Sequence, residues 1–434
     1  MYYSKYNYLF KSSKYGFLLF NAETNSFAEL TEELYNTLER VKLDNKYINN
    51  LENDLIKQLV MAKIVTSEND NNFFYEKRLM YYFRSFTNKT LGLAIAPTTY
   101  CNFACPYCYE HNRLPIFMDE KIETDLVSFI KKHKNIDEVD ITWYGGEPLL
   151  GIKSIKRILK QIKDENIPIR RHGMITNGYL LNEENSAFFK DYNLNYIQIT
   201  LDGDKKSHDS RRVLSNGKGT FDKIIHNIDI FKKYNPDTFV SIRVNLDETN
   251  KSRYTALNNM VRERWKDNNI GIYPAFVQDF SDGCTSCDMI STNSQVQFYI
   301  DLYKNYNIPV NFYSQLHIGG CGATNLNYYV VGPKGELYKC WNDIGVKDKV
   351  VGFLDKEMIP NKNVLSQYLA GPTMFDDISC QNCNIFPICS GGCEWLRLEN
   401  IKNGTNYNLC SSRKENLEIL LESHYEKRKI SQSV

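Results

Sequence analysis

Residues 91–108 read LGLAIAPTTYCNFACPYC. An apolar run of strand type meets a Pro-Thr-Thr break, and three cysteines follow, Cys101, Cys105 and Cys108, with gaps of three and two residues. Structural zinc and iron–sulfur sites ordinarily take four protein ligands. Three thiols on one loop can hold three corners of an iron–sulfur cubane and leave the fourth iron without a side chain. An open metal position is what a catalytic site keeps. On spacing alone, a structural site closed by a distant fourth ligand is the competing reading.

The surrounding chain repeats a strand–helix alternation. After LGLAIAP come VDITWYG, RHGMITNG, YIQITLDG, FVSIRVNLD and IGIYPAF, with amphipathic stretches such as EKIETDLVSFIKKH and TFDKIIHNIDIFKKYN between them. Such alternation predicts an α/β fold with a parallel sheet. Right-handed crossovers can curve that sheet into a partial (β/α)6 barrel of TIM type. Ligands should gather at the carboxyl ends of its strands, where TTYCNFAC, YGGEP, TNG and LDGD all fall. This barrel is expected over 91–290. Residues 1–90 precede it: a hairpin from YGFLLF and SFAEL around the turn-rich NAETN, then a helix capped by Thr31 and a second with Leu51, Leu55, Ile56 and Leu59 at helical spacing. They predict a small winged-helix-like module. Residues 291–434 carry one more helix, then a cysteine-punctuated region with short β signals, and close on an amphipathic helix.

Composition excludes several classes. The chain has 434 residues, 42% hydrophobic and 24% charged, which suits a folded protein of several domains. A net charge of +1 offers no footprint for nucleic acid or an anionic membrane. No apolar run reaches the ~18 residues a spanning helix needs, and the opening MYYSKYNYLFKSSKYG lacks a signal-peptide core, so a cytoplasmic location is expected. Twelve cysteines, none before residue 101, then read as metal ligands or catalytic thiols.

The CxxxCxxC loop directly after the first strand of a βα series, followed in order by YGGEP, TNGYLL, ITLDGDKKSHDSRR and IRVNLDETN, resembles the radical S-adenosylmethionine enzymes. The resemblance spans 91–434. It implies that Cys101, Cys105 and Cys108 hold a [4Fe–4S] cluster whose open iron binds the amine and carboxylate of S-adenosylmethionine, and that one electron releases a 5′-deoxyadenosyl radical. It also implies cosubstrate contacts from Gly145 and Gly146, Glu147 (toward the ammonium), Thr200, Arg212 (toward the carboxylate), Asn245 and Tyr107 (toward the adenine). The adjacent Arg211 is an alternative to Arg212.

Seven later cysteines resemble the SPASM extension of such enzymes, which carries two auxiliary [4Fe–4S] clusters, three clusters in all. The pattern implies Cys380, Cys383, Cys389 and Cys410 for one, and Cys321, Cys340 and Cys393 for the other. The latter lacks a fourth thiolate, for which Cys284, Cys287 and His317 are candidates. A pair of zinc sites is the alternative, because CxxC pairs are common zinc ligands.

SPASM relatives usually modify a peptide or protein side chain. The expected substrate is a ribosomal precursor peptide with a leader held by the N-terminal module. The expected products are thioether or carbon–carbon cross-links, and the electron would come from an external donor such as flavodoxin or ferredoxin. The alternative is a formylglycine-forming sulfatase maturase. Such enzymes place an Asp base directly after the cysteine corresponding to Cys340, whereas here Trp341 and Asn342 intervene before Asp343, the candidate base. A non-enzymatic zinc-binding interaction module is the third reading.

Overall fold

The computed structural model describes residues 1–67, 71–108, 110, 114–266, 269–278, 288–313, 315–356 and 361–432. Cys284 and Cys287 lie outside the described residues. Backbone contacts divide the chain into two compact units, each assembled from separate stretches. One comprises 1–87, 292–325 and 367–434, the other 88–291 and 326–366. The segment 291–434 therefore contributes to both.

The first unit begins with β1 (Tyr2–Tyr3), β2 (Asn7–Ser12), β3 (Gly16–Asn21) and β4 (Ser26–Leu30), with β5 (Val65–Thr66) further on. β2, β3 and β4 form an antiparallel sheet in that order, and β1 pairs with β5. The β3–β4 pair is the expected hairpin. Its turn is fixed by Asn21, whose Oδ1 accepts from the amides of Glu23 and Thr24 at 3.0 and 2.9 Å. Thr31 caps the helix Glu32–Leu43 by accepting from the Leu34 amide. Sequence patterning did not foresee β2. Its residues NYLFKS mix polar and apolar side chains, and pairing with β3 decides their state.

The core of this unit joins residues far apart in the chain. Tyr6, Phe10, Leu18 and Phe20 from the sheet and Phe74 and Tyr81 from the helix Asn71–Phe86 pack with Met374, Phe375, Phe386, Leu417, Leu421 and Tyr425. Burial of large aromatics is the main stabilising term, about 25 cal/mol per Å² of apolar surface removed from water.

The second unit holds β6 (Thr90–Ile95), β7 (Glu138–Trp143), β8 (Ile169–Thr176), β9 (Tyr196–Thr200), β10 (Phe239–Leu246) and β11 (Ile270–Phe276). They lie in sequential order and pair in parallel throughout, as a partial (β/α)6 barrel requires. Beyond β6 the sheet continues with β12 (Tyr328–Val331), parallel to it, then antiparallel β13 (Glu336–Tyr338) and β14 (Gly352–Phe353).

Helices cover the outer face because each carries an apolar stripe. The helix Ile152–Asp164 buries Ile155, Ile158, Leu159 and Ile162. The helix Glu120–Lys132 buries Leu126, Val127 and Ile130, and also Glu123. That carboxylate is tolerated because Arg157 grips it with two bonds of 2.5 and 2.6 Å.

Candidate active site

The carboxyl ends of the parallel strands carry the predicted site residues. Cys101, Cys105 and Cys108 follow β6 on a loop clamped by backbone bonds to the stretch after Arg212. The Ala104 amide donates to Val213 O at 2.9 Å, and the Ser215 amide to Asn102 O at 3.0 Å. Burial pushes the Cys101 thiol up to about 12, helped by the nearby Glu147 carboxylate, and the Cys108 thiol up to about 11. Cys105 is also raised by burial, against the pull of Arg212. These are protonated thiols until a metal supplies the compensating positive charge.

Tyr107 sits within this loop, and its hydroxyl is a junction. It donates to Asp202 Oδ2, accepts from Arg212 Nη1 at 2.8 Å and accepts from Asn245 Nδ2 at 3.3 Å. Two strand ends thus converge on one phenol of the β6 loop, with Asp202 and Arg212 after β9 and Asn245 on β10. Burial, with the Asp202 carboxylate beside it, holds the phenol well above its ordinary value. The hydroxyl anchors the loop.

The two adjacent arginines divide their work. Arg211 spans two carboxylates, Asp202 at 3.4 Å and Asp247 at 2.6 Å, and lies over the Tyr107 ring. Arg212 bonds Tyr107, lies over the Phe103 ring and keeps Nε buried without a partner. A buried guanidinium N–H left unpaired is costly unless a ligand completes it. Arg211 likewise keeps Nη2 buried without a partner, so each arginine of the pair retains a donor that a carboxylate could take.

Gly145 and Gly146 hold the β7 end against the cysteine loop. Gly145 has φ +106, and a Cβ there would stand 2.4 Å from Thr98 O. A Cβ on Gly146 would stand 2.4 Å from Tyr100 O and 2.6 Å from Thr99 O. The Glu147 carboxylate is fully buried and accepts from the amides of Leu149 and Asn177 at 3.0 and 2.7 Å and from the Thr176 hydroxyl at 2.6 Å. Burial raises this carboxyl despite those three donors. The bonds tie β7 to the end of β8, so Glu147 works as a brace.

Thr200 ends β9 and is 8% exposed. Asn245 also accepts from Arg243 Nε at 2.8 Å. Asp343 lies in the turn after Cys340, and its amide donates to Cys340 O at 3.1 Å. Sequence reasoning missed Asp202, Asp247 and Asn177 as site residues. The Asn177 amide group lies 4.0 Å from Cys101 Sγ and 2.8 Å from Asn102 Oδ1. Asp202 and Asn177 sit inside the quoted LDGD and TNG motifs, which was the available signal.

In the other unit, Cys380, Cys383, Cys389 and Cys410 line one cavity together with Phe386, Asp377 and Lys414. Burial pushes Cys380 up to about 11 and raises Cys383 as well. Cys321 and Cys393 also belong to this unit, Cys340 to the barrel unit. All ten described cysteines are free thiols. Among the described residues, no three His, Cys, Asp or Glu side chains are already set for a metal ion. The residues nonetheless fit the implied groups: three thiols on one loop beside an unpaired guanidinium nitrogen, and four thiols around one cavity.

Residues 95–258 match the family model described as the Radical SAM superfamily. The chain is 27% identical over 369 residues to a cysteine-type anaerobic sulfatase-maturating enzyme of Clostridium novyi, covering 75% of this chain and 94% of that protein. It is 22% identical over 443 residues to the radical SAM cyclopropyl synthase TigE of Paramaledivibacter caminithermalis, covering 90% and 89%. Among solved structures, native anSMEcpe with bound AdoMet superposes with a TM-score of 0.62 at 17% identity over 78% of this chain and 97% of that one. Streptococcus suis SuiB bound to precursor peptide SuiA gives 0.56 at 16% identity over 95% and 99%. The partial barrel, the cysteine loop and these matches agree: residues 95–258 form a radical SAM domain, and the chain is an enzyme.

Proposed function

We propose that this enzyme modifies a ribosomally made precursor peptide, forming a thioether or carbon–carbon cross-link. The reading is carried by the first unit, in which a three-stranded antiparallel sheet with β2 and β4 as its edges stands ahead of the barrel segment. A peptide strand can add to such an edge and be held by main-chain bonds. Support also comes from TigE, which matches 90% of the chain, and from SuiB, solved with its precursor peptide.

When bound, the cluster and cosubstrate supply a 5′-deoxyadenosyl radical that abstracts a substrate hydrogen. In this reading Cys101, Cys105 and Cys108 are the ligands, Arg212 pairs with the cosubstrate carboxylate, and Thr200 and Asn245 line its pocket. Tyr107, Glu147, Gly145 and Gly146 fix that geometry, because a radical needs its target close and water kept out. An auxiliary cluster on Cys380, Cys383, Cys389 and Cys410 would bind substrate or take an electron from the product radical. A flavodoxin- or ferredoxin-type donor would deliver the starting electron.

Formylglycine formation is the second reading, and the Clostridium novyi relative favours it. Trp341 and Asn342 stand between Cys340 and Asp343, so its base would have to be displaced along the chain. The superfamily match sets aside a non-enzymatic zinc module.

The test is anaerobic incubation of reconstituted enzyme, S-adenosylmethionine and reductant with the product of any short reading frame found beside its gene. Loss of two hydrogens without capture by a hydrazide supports a cross-link. A hydrazide adduct identifies an aldehyde and overturns it in favour of formylglycine.

A further inference from the structure

The helix Asn71–Phe86 presents Phe74, Lys77 and Tyr81 on one buried face, so a lysine occupies a position that helical spacing assigns to the core. Lys77 is 5% exposed. Its Nζ donates to Phe386 O at 2.5 Å, to Cys389 O at 2.9 Å and to Pro387 O at 3.4 Å, and lies 4.3 Å from the centre of the Phe386 ring. These acceptors form the turn that runs from Cys383 to Cys389.

All three acceptors are neutral. Among the described residues no carboxylate pairs with this ammonium, whereas nearby Arg397 pairs with Asp377 and Glu394. A cation taken out of water needs a compensating anion. Cys380, Cys383 and Cys389, joined by Cys410, line the cavity that the same turn borders. Lys414 is a second cation at this cavity, with Nζ 4.0 Å from Cys410 Sγ, but it is an exposed one.

We propose that Lys77 is the built-in counter-cation of an auxiliary [4Fe–4S] cluster on Cys380, Cys383, Cys389 and Cys410, and that its charge sets how readily this cluster accepts an electron. The inference rests on the auxiliary-cluster reading above. One electron from an external one-electron donor enters the cubane, no bond forms or breaks, and the four-thiolate site gains one negative charge. A fixed cation beside the ligand loop stabilises that reduced state, since net charge and hydrogen bonding near the sulfurs tune such potentials.

The experiment uses the full chain with Cys101, Cys105, Cys108, Cys321 and Cys393 changed to Ser, leaving the cavity's four cysteines as the intact array. Iron is counted first. No iron at all in this chain rejects the cluster assignment, and the inference with it, before any titration. With iron present, dithionite titration followed by electron paramagnetic resonance compares Lys77→Gln, which keeps amide donors for the carbonyls, with Lys77→Arg, which keeps the charge. The expected result is iron retained in both, with reduction of Lys77→Gln at least tenfold less favourable, about 59 mV for a one-electron couple, and Lys77→Arg close to the parent. Loss of iron in Lys77→Gln alone also supports a required charge. An unchanged potential in Lys77→Gln, or loss of iron in both variants, makes the lysine a purely structural clamp and overturns the proposal.

Discussion

Arg212 Nη1 donates to the Tyr107 hydroxyl at 2.8 Å, joining the end of a strand-top helix to the middle of the cysteine loop. Tyr107→Phe keeps the ring and removes the atom on which Asp202, Arg212 and Asn245 converge. Leaving buried polar groups unpaired costs about 1–3 kcal/mol. Urea unfolding of the cluster-free chain should show a loss of that size, and equilibrium dialysis of the reconstituted enzyme should show weaker S-adenosylmethionine binding. Unchanged stability would mean that the phenol does not hold the loop.

Gly146→Ala places a methyl against two backbone carbonyls that cannot swing aside. Overpacking of this kind costs about 1–3 kcal/mol. The displaced segment is Thr99–Tyr100, directly before Cys101, so reconstituted iron should fall along with the denaturation midpoint. A variant with full iron and wild-type stability would show that the loop can give way.

Cys105→Ser removes one of three thiolates and should abolish reductive cleavage of S-adenosylmethionine while leaving the iron bound by the later cysteines. Cys410→Ser should do the converse, lowering iron content with cleavage retained. Product analysis for 5′-deoxyadenosine beside iron counting reads both. Cleavage surviving in Cys105→Ser contradicts the assignment of that loop.

His172 on β8 gives a pH signature. It accepts from Trp143 Nε1 at 2.8 Å, its other ring nitrogen lies 2.9 Å from Tyr192 O, and burial lowers it from 6.5 to about 4. The folded state thus binds fewer protons than the unfolded one between those values. Stability is full above pH 6.5 and is lost as pH falls toward 4, by about 3 kcal/mol at most. Denaturation midpoints from pH 7 to 4.5 should fall more steeply in the wild type than in His172→Gln. Equal slopes would remove His172 as the cause.

The barrel was legible because its signal is local. Each strand is an apolar run, each connection has its own stripe, and the loop cysteines share one short segment. The junction at Tyr107 was less so, since Asp202 and Arg212 after β9 and Asn245 on β10 meet there and no spacing shows which polar atoms face each other. Glu147 illustrates the point: GGEP suggested a carboxylate reaching for a ligand, and the fold gives it three internal donors. The composition of the first unit was hidden for a similar reason. Nothing in the periodicity of Phe74, Lys77 and Tyr81 says that Phe375 and Phe386 complete their core.

That shared core has a consequence for biosynthesis. Tyr6, Phe10, Phe74 and Tyr81 leave the ribosome long before Met374, Phe386 and Tyr425 exist to cover them. The nascent chain therefore carries an uncovered aromatic surface while the whole barrel is being translated. The order in which the pieces are made thus leaves that surface to be covered last.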